Sequence, residues 1–150
     1  MEIPIFLLML FVAKTGLEAA RFDAQNYILP NRLNFQIFVA ALMTQILNIR
    51  IEVIIVSLLL FCVHLFTSLV SPNALGMGDV KLMAGLSITV ATGELVFGWI
   101  YLAYLMGAIH GIYRKLRLKS ARIPFGVSIY GAWAVICVGE WVCVALDYGR

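Results

Sequence analysis

The sequence predicts an all-α, polytopic membrane helix bundle of about six transmembrane helices, and three observations carry that prediction. Hydrophobic residues make up 63% of the 150-residue chain and charged residues 13%, whereas a soluble domain is nearer half apolar and a quarter charged. So few polar side chains do not cover a water-facing surface. The apolar residues come in long runs separated by short polar punctuation, and a helix needs about 20 of them to cross a bilayer. The alternating apolar and polar pattern of a barrel strand is absent, which leaves the helix as the structure that satisfies the backbone in lipid. About six helices of that length use nearly the whole chain. A single integral-membrane domain over residues 1–150 is therefore expected, with no room for a separate soluble domain.

The spans are expected at 2–20, 33–49, 51–70, 79–93, 94–113 and 126–147. The first has the length of a secretory signal but not its start. Met1 is followed by Glu2 and no basic residue precedes Lys14, whereas a signal begins basic. It is read as a retained span. Pro30-Asn31 punctuates the first loop, and Asn48-Ile49-Arg50-Ile51-Glu52 makes a tight polar hairpin. Ser71-Pro72-Asn73 ends the third span, and Thr92-Gly93-Glu94 separates the fourth from the fifth. The fourth is short and begins with an Asp and a Lys.

The net charge of +3 matters less than its placement. Arg114, Lys115, Arg117, Lys119 and Arg122 fall within nine residues. With no aromatic platform and no room for a fold of its own, this cluster is not read as a nucleic-acid site; between two apolar spans it marks the cytoplasmic side. Alternation of six spans then places eight basic residues inside, including Arg21, Arg32 and Lys81, against Arg50 and Arg150 outside. Cys62, Cys137 and Cys143 form no C-x-x-C pair, so no metal site is expected and the thiols read as small buried apolar residues.

Ionisable residues at membrane depth are costly and each asks for a reason. Asp79 closes the string Gly76-Met77-Gly78-Asp79. Two glycines beside a carboxylate give the backbone unusual angles and let another chain come close; an Asp at a helix start is also an ordinary cap. Asp23 follows the first span, so both carboxylates are expected at the same membrane face, from different helices. Two carboxylates sharing a proton titrate as a unit. The ionised member draws a proton from water while the protonated member polarises a peptide carbonyl. Taken singly, Asp23 reads more readily as a solvated interfacial residue.

Three strings carry a resemblance. Gly76-Met77-Gly78-Asp79-Val80-Lys81-Leu82 resembles the G-x-G-D-x-K-L signature of type IV prepilin peptidases. Asp23 with Pro30-Asn31 downstream resembles that family's first Asp and its Ile-Pro-Asn. Ile123-Pro124-Phe125-Gly126 resembles its Ile-Pro-Phe-Gly segment. The resemblance implies a membrane aspartic endopeptidase that cuts a basic leader from a prepilin, just ahead of the pilin's apolar helix, at the cytoplasmic face of the bacterial inner membrane. It implies Asp23 and Asp79 as the catalytic pair and Gly76 and Gly78 as the supporting loop. It implies structural or substrate-facing positions for Lys81, Pro30, Asn31, Pro124, Phe125 and Gly126. No cofactor is required, and the partners implied are a prepilin and membrane lipids. The paired C-x-x-C motifs of the family's methyltransferase insert are absent, so the chain is similar to the small enzymes of Flp-type pili. Ala24 to Leu29 carry none of the family's usual charges, Leu29 stands where Ile is usual, and Val127 where Pro often follows. An archaeal-type preflagellin peptidase shares the two-Asp plan, and an ion-translocating or assembly subunit is the alternative from another class.

The remaining polar residues read structurally. Lys14 and Glu18 share a helix face. Glu140 bonds across helices or lines a polar cavity, and His64 and His110 are hydrogen-bonded packing residues. Ala103, Gly107 and Gly111 form a small-residue face for close helix contact within the bundle. Trp99, Tyr101, Trp133 and Trp141 suit interfacial anchoring.

Overall fold

The computed structural model describes residues 3–71, 75–118 and 123–148. Six helices follow one another: α1 (Ile3–Asn26), α2 (Asn31–Leu47), α3 (Ile51–Val70), α4 (Met77–Ser87), α5 (Gly93–Leu118) and α6 (Phe125–Tyr148). Four of them, α1, α3, α5 and α6, are long and apolar enough to cross a membrane. The second has 17 residues and the fourth 11. At about 1.5 Å per residue, α4 falls well short of the roughly 30 Å of a hydrocarbon core. The expected fourth span, 79–93, is thus a short helix followed by a turn at 88–92. Pro72, Asn73, Lys119, Arg122 and Arg150 lie outside the described residues.

The arrangement explains why a short helix suffices. Helix α1 packs on α2 and α6, α6 packs on α5, and α5 packs on α3. Inside this ring stands α4, touching α2, α3 and α6. Its Val80, Leu82, Met83 and Leu86 are buried, so the helix is surrounded by protein and need not match the bilayer thickness. Gly85 lets α4 meet the backbone of α2 at Phe38, with no space for a larger side chain. Among the described residues, no comparable packing joins α2 to α3, and the ring is open along that seam.

The bundle is apolar outside as well as in. Leu58, Leu59, Phe66, Leu69, Tyr101 and Val138 are among many large hydrophobic side chains left exposed. A water-facing surface does not carry such a belt; a lipid-facing one does. Three buried hydroxyls are satisfied locally: Thr44, Ser87 and Thr89 each donate to a carbonyl three residues back in the chain.

Several expectations are revised. Trp99 and Trp133 are buried rather than interfacial, because each indole finds an internal acceptor: Ile129 O at 3.0 Å and Thr89 Oγ1 at 2.8 Å. Tyr101 and Trp141 are exposed as anchors would be. Of the thiols, only Cys137 is buried; Cys62 and Cys143 face outward from the bundle. Lys14 and Glu18 are both exposed on α1. The small-residue face of α5 does pack within the chain, Gly107 against the Phe125 ring and Gly111 against Ile123. His64 is a packing residue, its Nδ1 2.7 Å from Leu60 O.

The two ends of the bundle differ. At one end, Gln45, Arg50 and Glu140 hold the turn after α4. Arg50 donates to Val90 O at 2.8 Å, Gln45 donates to Ile88 O at 2.7 Å, and Glu140 accepts from the Ala91 N–H at 3.1 Å. At the other end lie Arg21, Arg32, Lys81, Arg114, Lys115 and Arg117, together with both aspartates.

Candidate active site

Asp23 was expected in a loop beyond the first span. Instead α1 continues to Asn26, and Asp23 is a buried residue of its last turns, 5% exposed. The helix ends because Tyr27 takes a left-handed conformation, φ 56°, with its N–H donating to Asp23 O at 2.8 Å. A left-handed residue just past a helix closes the last open carbonyls. Glycine or asparagine is usual there, and a tyrosine marks local strain of the kind that gathers at functional sites. The chain then extends through Leu29 to Pro30, whose φ of −64° and ψ of 129° start α2.

Asp79 arrives from α4. Gly76 is the N-cap, at φ −71° and ψ 143°, and Asp79 sits in the first turn with its N–H on Gly76 O at 3.0 Å. Gly76 is the N-cap and no side-chain cap bond forms there, so Asp79 is the third residue of the helix and not the N-capping residue the sequence suggested. Among the described residues no glycine has a positive φ, so the glycines of this loop serve closeness rather than unusual backbone angles. A Cβ on Gly78 would stand 3.0 Å from the Leu29 Cβ. A Cβ on Gly126 would stand 2.9 Å from Asp23 Oδ2 and 3.1 Å from Leu29 Cδ1. Leu29 is thus wedged between the two glycines, and it fixes the distance between the three motif segments.

The helix α6 completes the site. Pro124 is fully buried, Phe125 fills the space over Gly107, and the Gly126 N–H donates to Asp23 Oδ2 at 2.8 Å. This N–H belongs to the first turn of α6, where helix donors are free and the dipole favours an anion. Asp23 and Asp79, with Tyr27, Leu29, Gly76 and Gly78, line one cavity of about 220 Å³. Asp79 lies on a helix that does not itself span. Burial, and next the charge of Asp23, push its carboxyl up to about 7 against the opposing Gly76 N–H. The two carboxyls thus differ in setting: the Gly126 N–H is aimed at Asp23, and Asp79 is raised toward neutral pH.

The other motif residues group beside this cavity. Lys81 Nζ donates to Asn31 Oδ1 at 2.8 Å, and Asn34 Nδ2 donates to Gly78 O at 3.1 Å, tying the start of α2 to the start of α4. Sequence reasoning did not single out Asn34 or Tyr27, and it read Arg114, which hydrogen-bonds the Tyr27 hydroxyl, as part of the basic cluster alone. Asn34 had a signal, a polar amide one turn into an apolar run; nothing in the sequence marks Tyr27. Among the described residues no group of His, Cys, Asp and Glu side chains is placed to hold a metal ion.

A model of the type IV leader peptidase family matches residues 4–112, well over half of the chain and inclusive of Asp23 and Asp79. The chain belongs to this family. A search of curated proteins and a search of solved structures each return no match. Family membership makes the chain a peptidase, and the four long apolar helices make it a membrane protein. The matched stretch stops before Pro124-Phe125-Gly126, yet Gly126 is the residue that touches Asp23. Asp23 is thus held by a residue from beyond the matched stretch.

Proposed function

We propose that this protein is an aspartic endopeptidase that removes the leader of a prepilin, of the Flp or type IV-like kind, at the cytoplasmic face of the bacterial inner membrane. The observation that supports it most is that Asp23 and Asp79, far apart in sequence, line the same cavity. The gathering of basic residues at that end of the bundle supports a cytoplasmic face.

In this reading Asp23, held by the Gly126 N–H, is the ionised partner and general base. Asp79, with its carboxyl near 7, is the acid. Water between them loses a proton to Asp23 as its oxygen attacks the scissile carbonyl, and the Asp79 proton moves to the carbonyl oxygen. As the tetrahedral adduct collapses, that oxygen returns its proton to Asp79, and the proton on Asp23 passes to the departing amine. Both carboxyls end as they began, so no further group is needed to balance the step. General acid and general base terms are each worth about 10² to 10⁴ in rate.

Co-expression with a small leader-bearing pilin, followed by N-terminal sequencing of the product, tests this. Asp23→Ala and Asp79→Ala are each expected to lose processing by at least about 100-fold. Full processing by Asp79→Ala would refute the assignment.

A further inference from the structure

A second opening, of about 370 Å³, lies along the seam between α2 and α3. Phe35 and Phe38 of α2 and Phe61 of α3 form its walls, and Ala84 of α4 is its floor. It exists because the ring of helices is not closed there and because the floor residue is small. Phe35 and Phe38 are exposed, so the groove faces the same surroundings as the apolar belt.

The groove adjoins the catalytic cavity: Asn34, which lines the groove, donates to the carbonyl of Gly78, which lines the cavity, and Lys81 of the groove lies two residues after Asp79. We propose that the groove seats the apolar segment of the substrate that follows the scissile bond. This rests on the leader-peptidase reading and adds to it where the substrate is recognised.

Three features select this occupant. A peptide whose scissile bond lies at the aspartates must leave the cavity on its apolar side, and the groove is the apolar surface that adjoins it. A helix about 10 Å across does not fit inside 370 Å³, but it can lie along the seam with one row of side chains inserted, as helix-in-groove complexes do. The polar atoms match a peptide and not a lipid chain. Lys81 gives one of its three donors to Asn31, leaving donors for carbonyls of the extended stretch before the substrate helix. Asn34, 3% exposed, has an Oδ1 without a partner, and the first four N–H groups of an incoming helix lack acceptors. An acyl chain would fill the aromatic walls and leave that oxygen unpaired.

Two measurements test the proposal. A photo-reactive benzoylphenylalanine in place of Phe38, in the Asp79→Asn variant sharing a membrane with a leader-bearing pilin, is expected to cross-link to the pilin's apolar segment. Cross-links to lipid alone, or to a second copy of the chain, would overturn the proposal. Ala84→Leu, which fills part of the floor, is expected to raise KM for the pilin about tenfold with kcat kept, the mark of lost ground-state binding; an unchanged KM would equally overturn it. If this variant does not fold, the cross-link decides. Failure of the leader-peptidase reading is separate, since it appears as uncut pilin with the wild-type enzyme.

Discussion

At the scale of single residues, the chemistry turns on how two similar carboxyls are made different. Asp23 meets a helix N-terminus and Asp79 meets burial and its partner's charge. Below about 7 Asp79 keeps its proton; above it the proton is lost and the acid is gone. Processing rate is therefore expected to fall as pH rises through this value, measured with detergent-solubilised enzyme and a fixed pilin. The sign for stability follows. A folded-state value raised above 3.8 means that the native state holds more protons than the unfolded one between the two values. Stability from this group is then full at low pH and is lost as pH rises toward 7. Asp79→Asn is expected to remove part of that decline in Tm. Gly126→Ala brings a methyl group to 2.9 Å from Asp23 Oδ2, so kcat is expected to drop about tenfold or more for a displacement approaching an ångström, at unchanged membrane levels. The Gly-x-Gly-Asp string advertised Asp79 in the sequence. Tyr27 had no such signal, because nothing about a tyrosine foretells a left-handed backbone.

At the scale of elements, α4 decides the design. It carries Asp79, lines both openings, and is packed from three sides. Hydropathy along the chain marked it as a weak fourth span and erred in length, because an apolar helix buried by protein and one crossing lipid have the same composition. Its far end is tied down by Arg50, whose guanidinium serves the Ile88 and Val90 carbonyls. Arg50→Met leaves the Val90 carbonyl unpaired in an apolar setting, while Gln45 still serves Ile88 O, and is expected to cost about 1–3 kcal/mol, seen as a lower Tm in detergent. The tryptophans misled for a related reason. An indole suits an interface when its N–H meets water, but Ile129 O and Thr89 Oγ1 supply acceptors inside, and no sequence pattern records that.

At the scale of the whole molecule, the bundle is an incomplete ring around a central helix, with Asp23 and Asp79 gathered at one end and an apolar groove along its open side. The helical class and the order of six helices were legible, since long apolar runs and short polar breaks leave few alternatives. Which helix stands inside, and where the ring stays open, were not, because both depend on packing between faces whose composition is nearly uniform. The central claim is that Asp23 and Asp79 act as a unit. The direct measurement is the rate of leader removal by Asp23→Asn, Asp79→Asn and the double variant against a single pilin. Residues acting together show strongly non-additive losses, so all three are expected at the same residual rate. Losses that multiply in the double variant, or a single variant that still cuts at the wild-type rate, would contradict it.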